Sequence, residues 1–235
     1  MSHPSPAARP AAPPPAPALV RLHAALASAY AGQLWHWAPG VARGPMEIIA
    51  GAVLVQHTTW TNAERALDAL RTAGALDASA LAALPEREIA ALVRVSGTPT
   101  VKARRLRAVA RTIEAAGGLD ALLALPHHAL RAALIETHGI GPETADAVAL
   151  YAAGHPAFVI DAYTRRLFGR LALGPGARAS YAAWQRWFED RLPPDVTLYR
   201  NLHAYIVLHG KTLCRAVPRC DACPLRPQCP EGCGR

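Results

Sequence analysis

Three groups of side chains have types and spacings that can do chemistry. The run Cys214-x5-Cys220-x2-Cys223-x5-Cys229 places four thiols within 16 residues. Four thiolates suit either a [4Fe–4S] cluster or tetrahedral zinc. Zinc ribbons commonly use two Cys-x2-Cys knuckles and only one is present, which weighs toward the cluster. Cys233 stands outside the pattern. The second group is Leu134 to Ala145, where Gly139-Ile140-Gly141 joins two helical stretches. Two glycines around one apolar residue permit a tight turn that presents backbone N–H groups. Pro142 suits the first turn of the next helix, whose N-terminus attracts phosphate. An ordinary turn between helices has the same local pattern. The third is Asp161, which follows the apolar run Ala157–Ile160 and precedes a helical stretch. That placement fits a helix N-cap as well as a reactive carboxylate.

Helices must position these groups. Ala- and Leu-rich segments are expected over about 19–31, 46–56, 61–73, 86–93, 100–116, 127–137, 142–153, 162–172, 180–192 and 199–209. Leu106, Val109, Ala110 and Ile113 fall at i, i+3, i+4 and i+7, the period of one buried helix face. Connections are short and carry Gly or Pro, as at Gly97–Pro99, Gly117–Gly118 and Gly174–Gly176. Ala157–Ile160 is the only tempting strand and is short. The fold class read from these segments is all-α, without a fixed-period repeat. Residues 1–18 hold seven of the 21 prolines, interleaved with alanine, and are expected to form a disordered tail.

Hydrophobic residues make up 51% and charged residues 18% of 235, which excludes a largely disordered protein. No apolar stretch reaches the roughly 18–20 residues of a membrane span, and no secretory h-region is read at the N-terminus. Clustering of all five cysteines in the last 22 residues disfavours a disulfide scaffold. A cytoplasmic protein is therefore expected, nucleoid-associated if bacterial. The net charge is +8, which points weakly to a polyanionic partner. Its distribution points more firmly: Arg94 to Arg111 holds six basic residues and no acidic one. Only two lysines occur, Lys102 and Lys211.

Gly139-Ile140-Gly141-Pro142-Glu143-Thr144-Ala145, then Gly154-His155-Pro156, then Val159-Ile160-Asp161-Ala162-Tyr163-Thr164-Arg165 resembles the helix-hairpin-helix, Gly-Pro-Asp motif of the endonuclease III superfamily of DNA glycosylases. Upstream, Val53-Leu54-Val55-Gln56-His57-Thr58 is similar to the family segment whose glutamine fills the space left by an extruded base. Downstream, Leu208-His209-Gly210-Lys211 ahead of Cys214 resembles the entry to the iron–sulfur loop. The resemblance spans about residues 42–229 in order. It implies two helical domains with a DNA-binding cleft between them and a C-terminal iron–sulfur loop. The six-helix domain would take residues 42–155, and the cluster domain 19–41 plus 156–230. Asp161 would be the catalytic residue, stabilising an oxocarbenium-like sugar and activating water. Gln56, His138, Gly139, Ile140, Gly141 and Thr144 would contact DNA. Cys214, Cys220, Cys223 and Cys229 would hold a [4Fe–4S] cluster that orders a basic loop (Arg215, Arg219, Arg226).

Three departures bear on activity. Bifunctional members carry a lysine two residues beyond the second hairpin glycine, and here that position is Glu143. A carboxylate cannot form a Schiff base, so hydrolysis without strand cleavage is expected; Glu143 itself reads equally as a solvated acid favoured by the helix dipole. The residue at the family's opposite-strand wedge falls near Thr98, and the first cysteine interval is one shorter than the family's usual six. The segment from Gln56 to Asn62 is similar to the monofunctional alkylpurine branch, with Trp35, Trp37 and Trp60 as stacking candidates or plain core aromatics. The resemblance thus implies a monomeric repair enzyme acting on double-stranded DNA with damaged bases, alkylated purine first. The alternatives are a uracil or oxidised-pyrimidine glycosylase with or without weak lyase activity, and a DNA-binding paralogue with little catalysis.

Overall fold

The computed structural model describes residues 17–33 and 44–233, and every regular element among them is helical. The order is α1 (Pro17–Tyr30), α2 (Pro45–Leu54), α3 (Trp60–Thr72), α4 (Ala78–Ala83), α5 (Glu86–Leu92), α6 (Pro99–Ala115), α7 (Leu119–Leu123), α8 (His127–Glu136) and α9 (Pro142–Ala147). It continues with α10 (Ala162–Arg170), α11 (Tyr181–Glu189), α12 (Val196–Thr212) and α13 (Pro230–Cys233). The all-α expectation holds. Residues 1–16 lie outside the described residues, but the expected tail ends too late: Pro17 and Ala18 already belong to α1. Proline is tolerated there because the first N–H groups of a helix have no internal acceptor.

Two hydrophobic cores organise the helices. The first is built from α2 to α9, with Leu106, Val109, Ala110 and Ile113 of α6 turned into it. On the other side of α6, Arg104 and Arg111 are exposed, the solvent face of an amphipathic helix, whereas Lys102 of the same basic run is buried. The second core joins α1 to α10, α11 and α12, around Trp184, Phe158 and Phe188. Phe158 and Phe188 stack with ring centroids 4.0 Å apart. Local side chains fix several helix starts. Asp77 accepts from Ser79 N and Ala80 N at 2.9 and 3.2 Å, Ser180 from Ala183 N at 3.1 Å, and Asp195 from Leu198 N at 2.6 Å. Each such cap stabilises by about 1 kcal/mol.

Two segments depart from the period-based expectation, and both lead to Asp161. The stretch expected as one helix over 142–153 is α-helical only to Ala147, and Val148–Ala152 forms a π-helical turn. Arg200 satisfies carbonyls left at its end, donating to Leu150 O at 3.0 Å and Tyr151 O at 3.1 Å. The tempting strand Ala157–Ile160 is no strand, although it is fully buried. Side chains of α11 replace a partner strand: Phe158 N donates to Glu189 Oε1 at 3.0 Å, Phe158 O accepts from Gln185 Nε2 at 3.1 Å, and Ile160 N donates to the Tyr181 hydroxyl at 3.4 Å. A buried backbone must be paired somewhere, and here helix side chains do it.

Candidate active site and DNA-binding face

The hairpin joins α8 to α9. Ile140 N donates to Thr137 O at 3.1 Å, closing the turn, and Ile140 is 6% exposed with its side chain in the first core. Its side chain therefore anchors the turn. Gly139 has φ +80°, and a Cβ there would lie within 2.7 Å of three Arg105 side-chain atoms. Gly141 is extended (φ −95°), and a Cβ added there would meet nothing within 4 Å. His138, Gly139 and Gly141 are all exposed. The hairpin thus points an apolar plug inward and its glycines outward.

Gln56 lies beside this turn. Its Nε2 donates to Thr144 Oγ1 at 2.9 Å, and its Oε1 accepts from Arg105 of α6. The expected contact residues Gln56, Gly139 and Thr144 are thereby brought together, and Arg105 is a member that sequence reasoning placed only within the basic run. Lys102, 1% exposed, donates to Leu54 O at 2.7 Å and to Ser96 O. It ties the end of α2, just before Gln56, to the turn that carries Thr98. Thr98 is exposed at φ +40° and His57 takes φ +57°, left-handed conformations that non-glycine residues rarely adopt. Desolvation lowers the Lys102 pKa to about 8, with Arg105 adding to the effect. Two carbonyls nevertheless occupy its amine.

Asp161 is the N-cap of α10 and is 9% exposed, its Oδ1 accepting from Thr164 N at 2.7 Å. Its Oδ2 lies 3.7 Å from Nε2 of His203 on α12. Glu143 lies exposed on the first turn of α9. Desolvation, and then the charge of Asp161, raise its pKa to about 7, while Arg165 opposes the rise. Lys211 near the end of α12 is exposed, and its pKa is lowered by desolvation against the opposing pull of Asp161. Both carboxylates and this amine thus share one field. Trp60 is half-buried at the start of α3 and packs on the first core. Trp35 and Trp37 lie outside the described residues.

A buried polar hub connects the hairpin to Asp161. Asp146 of α9 is fully buried, with Oδ1 2.7 Å from Arg131 Nε of α8 and Oδ2 accepting from Gln185 Nε2 of α11 at 2.8 Å. Gln185 and Tyr181 in turn hold the backbone of residues 158 and 160. The four expected cysteine ligands line one cavity together with Arg170 and His209. Arg170 Nη1 donates to Cys214 Sγ at 3.3 Å, and Cys223 Sγ lies 3.6 Å from His209 Nε2. Among the described residues no three His, Cys, Asp or Glu side chains converge closely enough to hold a metal ion. The donor set fits a cluster by its chemistry and its shared cavity. The thiols as placed do not form a closed coordination sphere.

A glycine-turned hairpin, an aspartate capping α10 and a basic helix beside the hairpin are the features that carry the resemblance to base-excision repair proteins. The family model for the HhH-GPD superfamily base excision DNA repair protein matches residues 50–194, and the chain belongs to that superfamily. It is 36% identical over 197 residues to the "Putative DNA repair glycosylase MJ1434" of Methanocaldococcus jannaschii, covering 83% of this chain and 88% of that one. In fold it is similar to an endonuclease III in a non-covalent DNA complex (TM-score 0.78, 23% identity, 93% of this chain and 96% of the other). It is also similar to the H. pylori 3-methyladenine DNA glycosylase MagIII bound to 1,N6-ethenoadenine (TM-score 0.68, 24% identity, 81% and 96%). The chain is thus a DNA glycosylase by family, with an endonuclease III-like fold.

Proposed function

We propose that this glycosylase is monofunctional and hydrolyses the N-glycosidic bond of a flipped, alkylated purine. The observation that carries the reading is Glu143, a carboxylate at the hairpin position from which bifunctional relatives direct an amine, in the same field as Asp161. Asp161 stabilises positive charge on the sugar as the C1′–N bond breaks and its electron pair leaves with the base. Water then bonds to C1′ and gives a proton to the Asp161 carboxylate. A purine alkylated at N3 or N7 is already cationic and departs neutral, so no acid need protonate it. Its positive charge also favours stacking on an aromatic face; Trp60 is the described candidate.

Gln56, His138, Gly139 and Gly141 grip the DNA at the hairpin, chiefly through backbone contacts to phosphate, while Ile140 and the buried Thr144, expected as contacts, anchor the turn from inside. The chain is organised in two lobes, 42–155 against 19–41 plus 156–230, with DNA in the groove between; the two cores follow this division except that Ile48, Ala147, Leu150 and Tyr151 pack in the second core and Ala157 in the first. Cys214, Cys220, Cys223 and Cys229 hold a [4Fe–4S] cluster that orders the loop bearing Arg215, Arg219 and Arg226 against phosphate.

The test is a nicking gel without alkali alongside borohydride trapping on duplex DNA methylated with dimethyl sulfate. Base release leaving an intact abasic strand, with no trapped complex, is expected. Of the two lysines, Lys211 is the one whose amine lies in the field of Asp161. Efficient trapping that disappears in Lys211→Ala would replace hydrolysis with lyase chemistry at that amine.

A further inference from the structure

The two oxygens of Asp161 are held differently. Oδ1 is committed to the cap of α10 through Thr164 N, whereas Oδ2 faces Nε2 of His203 at 3.7 Å. His203 is 4% exposed. On the far side of its ring, Nδ1 lies 2.7 Å from the hydroxyl of Tyr151, which the π-helical turn places there. The same hydroxyl lies 3.3 Å from Arg200 O.

Acceptor chemistry assigns the protons. If Tyr151 gave its single proton to Arg200 O, Nδ1 would have to carry the imidazole proton. Nε2 would then turn a lone pair toward a carboxylate, which is repulsive. If Tyr151 donates to Nδ1, at the shorter of its two distances, Nε2 carries the proton and points it at Oδ2. The ring stays neutral because burial disfavours its charged form; Asp161 opposes this and Lys211 adds to it.

We infer that His203 is a positioning residue for Asp161, a neutral imidazole held by Tyr151 that fixes the plane of the carboxylate. This rests on Asp161 acting at the sugar, as proposed above. With Oδ1 held by the cap and Oδ2 drawn to Nε2 as the pair tightens, the carboxylate is kept from rotating about its Cβ–Cγ bond when the base is extruded. A neutral donor supports its negative charge without cancelling it, whereas an ammonium or guanidinium there would weaken the field that the oxocarbenium ion needs. The 3.7 Å separation is about half an ångström beyond a hydrogen bond, and active-site hydrogen bonds tighten in the substrate complex.

The experiment measures single-turnover purine release from dimethyl sulfate-methylated duplex DNA, and affinity for a duplex carrying a tetrahydrofuran abasic site. His203→Ala is expected to slow release roughly ten- to a hundredfold, the loss typical of one hydrogen bond to a charged group, with affinity changed less than about twofold. His203→Gln, which restores an N–H near the Nε2 position, should recover most of the rate. Tyr151→Phe should slow release in the same direction and add nothing to His203→Ala. An active wild type with an equally active His203→Ala overturns the inference, as does a Gln variant no faster than Ala. A wild type that releases no purine overturns the alkylated-purine reading, and with it this inference for that substrate.

Discussion

Substitution of the two hairpin glycines separates folding from DNA grip. Gly139 sits at φ +80°, where a Cβ costs about 1–2 kcal/mol. That Cβ would also press within 2.7 Å of the Arg105 stem, so the side chain must swing away and release Gln56 Oε1. A half-buried charged hydrogen bond contributes about 1 kcal/mol or slightly more. Gly139→Ala should therefore destabilise the fold by about 2–3 kcal/mol, read as a lower urea midpoint at unchanged slope. Gly141 has φ −95° and open space around it, so Gly141→Ala should cost at most about 1 kcal/mol, for a poorer N-cap. Its methyl would nonetheless stand where a phosphate must approach the turn. Fluorescence anisotropy on undamaged duplex DNA should show Gly141→Ala binding at least about tenfold more weakly on every sequence. Both variants should keep a steep salt dependence, since the basic residues remain. A Gly141→Ala protein that folds and binds like wild type would refute a backbone grip at this turn.

Other outcomes follow from the same contacts. Asp146→Asn removes the charge of a fully buried carboxylate whose partner Arg131 is half-buried and should destabilise the fold by about 1–3 kcal/mol in denaturant titrations; a loss under about 0.5 kcal/mol would show the hub to be unimportant. Because the Glu143 pKa rises to about 7 in the fold, the native chain holds a proton that the unfolded chain releases from about pH 4.3 upward. Its contribution is fully present below that value and is lost as pH rises through about 7. Glu143→Gln should therefore gain thermal stability over wild type at about pH 8 and not at about pH 4, as scanning calorimetry would show. Anaerobically purified protein should be brown with about four irons per chain; Cys220→Ala should lose iron, and Cys233→Ala should keep it. One zinc and no iron would contradict the cluster.

Much of the architecture was legible because it is local. The i, i+3, i+4 pattern of Leu106, Val109 and Ala110 shows a buried helix face, and the Gly139–Pro142 stretch shows a helix–turn–helix junction. Asp161 does cap α10, as its position before Ala162 suggested, so that reading and the catalytic proposal concern one residue. Helices α4 and α7 escaped notice because six and five residues are too few to display a period. His203 and Tyr151 escaped for a different reason. They meet across 52 residues of sequence, and Tyr151 faces His203 from a π-helical turn that no 3.6-residue pattern anticipates. Arg105 was visible only as one charge among six, because its partner Gln56 is 49 residues away.

The most direct test is purine release by wild type and Asp161→Asn from dimethyl sulfate-methylated duplex DNA under single-turnover conditions. Asparagine keeps an oxygen to accept from Thr164 N, so the cap and the fold should survive with Tm nearly unchanged. The negative charge is lost, and with it the acceptor that faces Nε2 of His203. Release should fall at least about a thousandfold, a loss of roughly 4 kcal/mol of transition-state stabilisation, while affinity for a tetrahydrofuran duplex stays within about threefold of wild type. A folded Asp161→Asn protein that releases purine at close to the wild-type rate would contradict the assignment of this carboxylate to the chemistry.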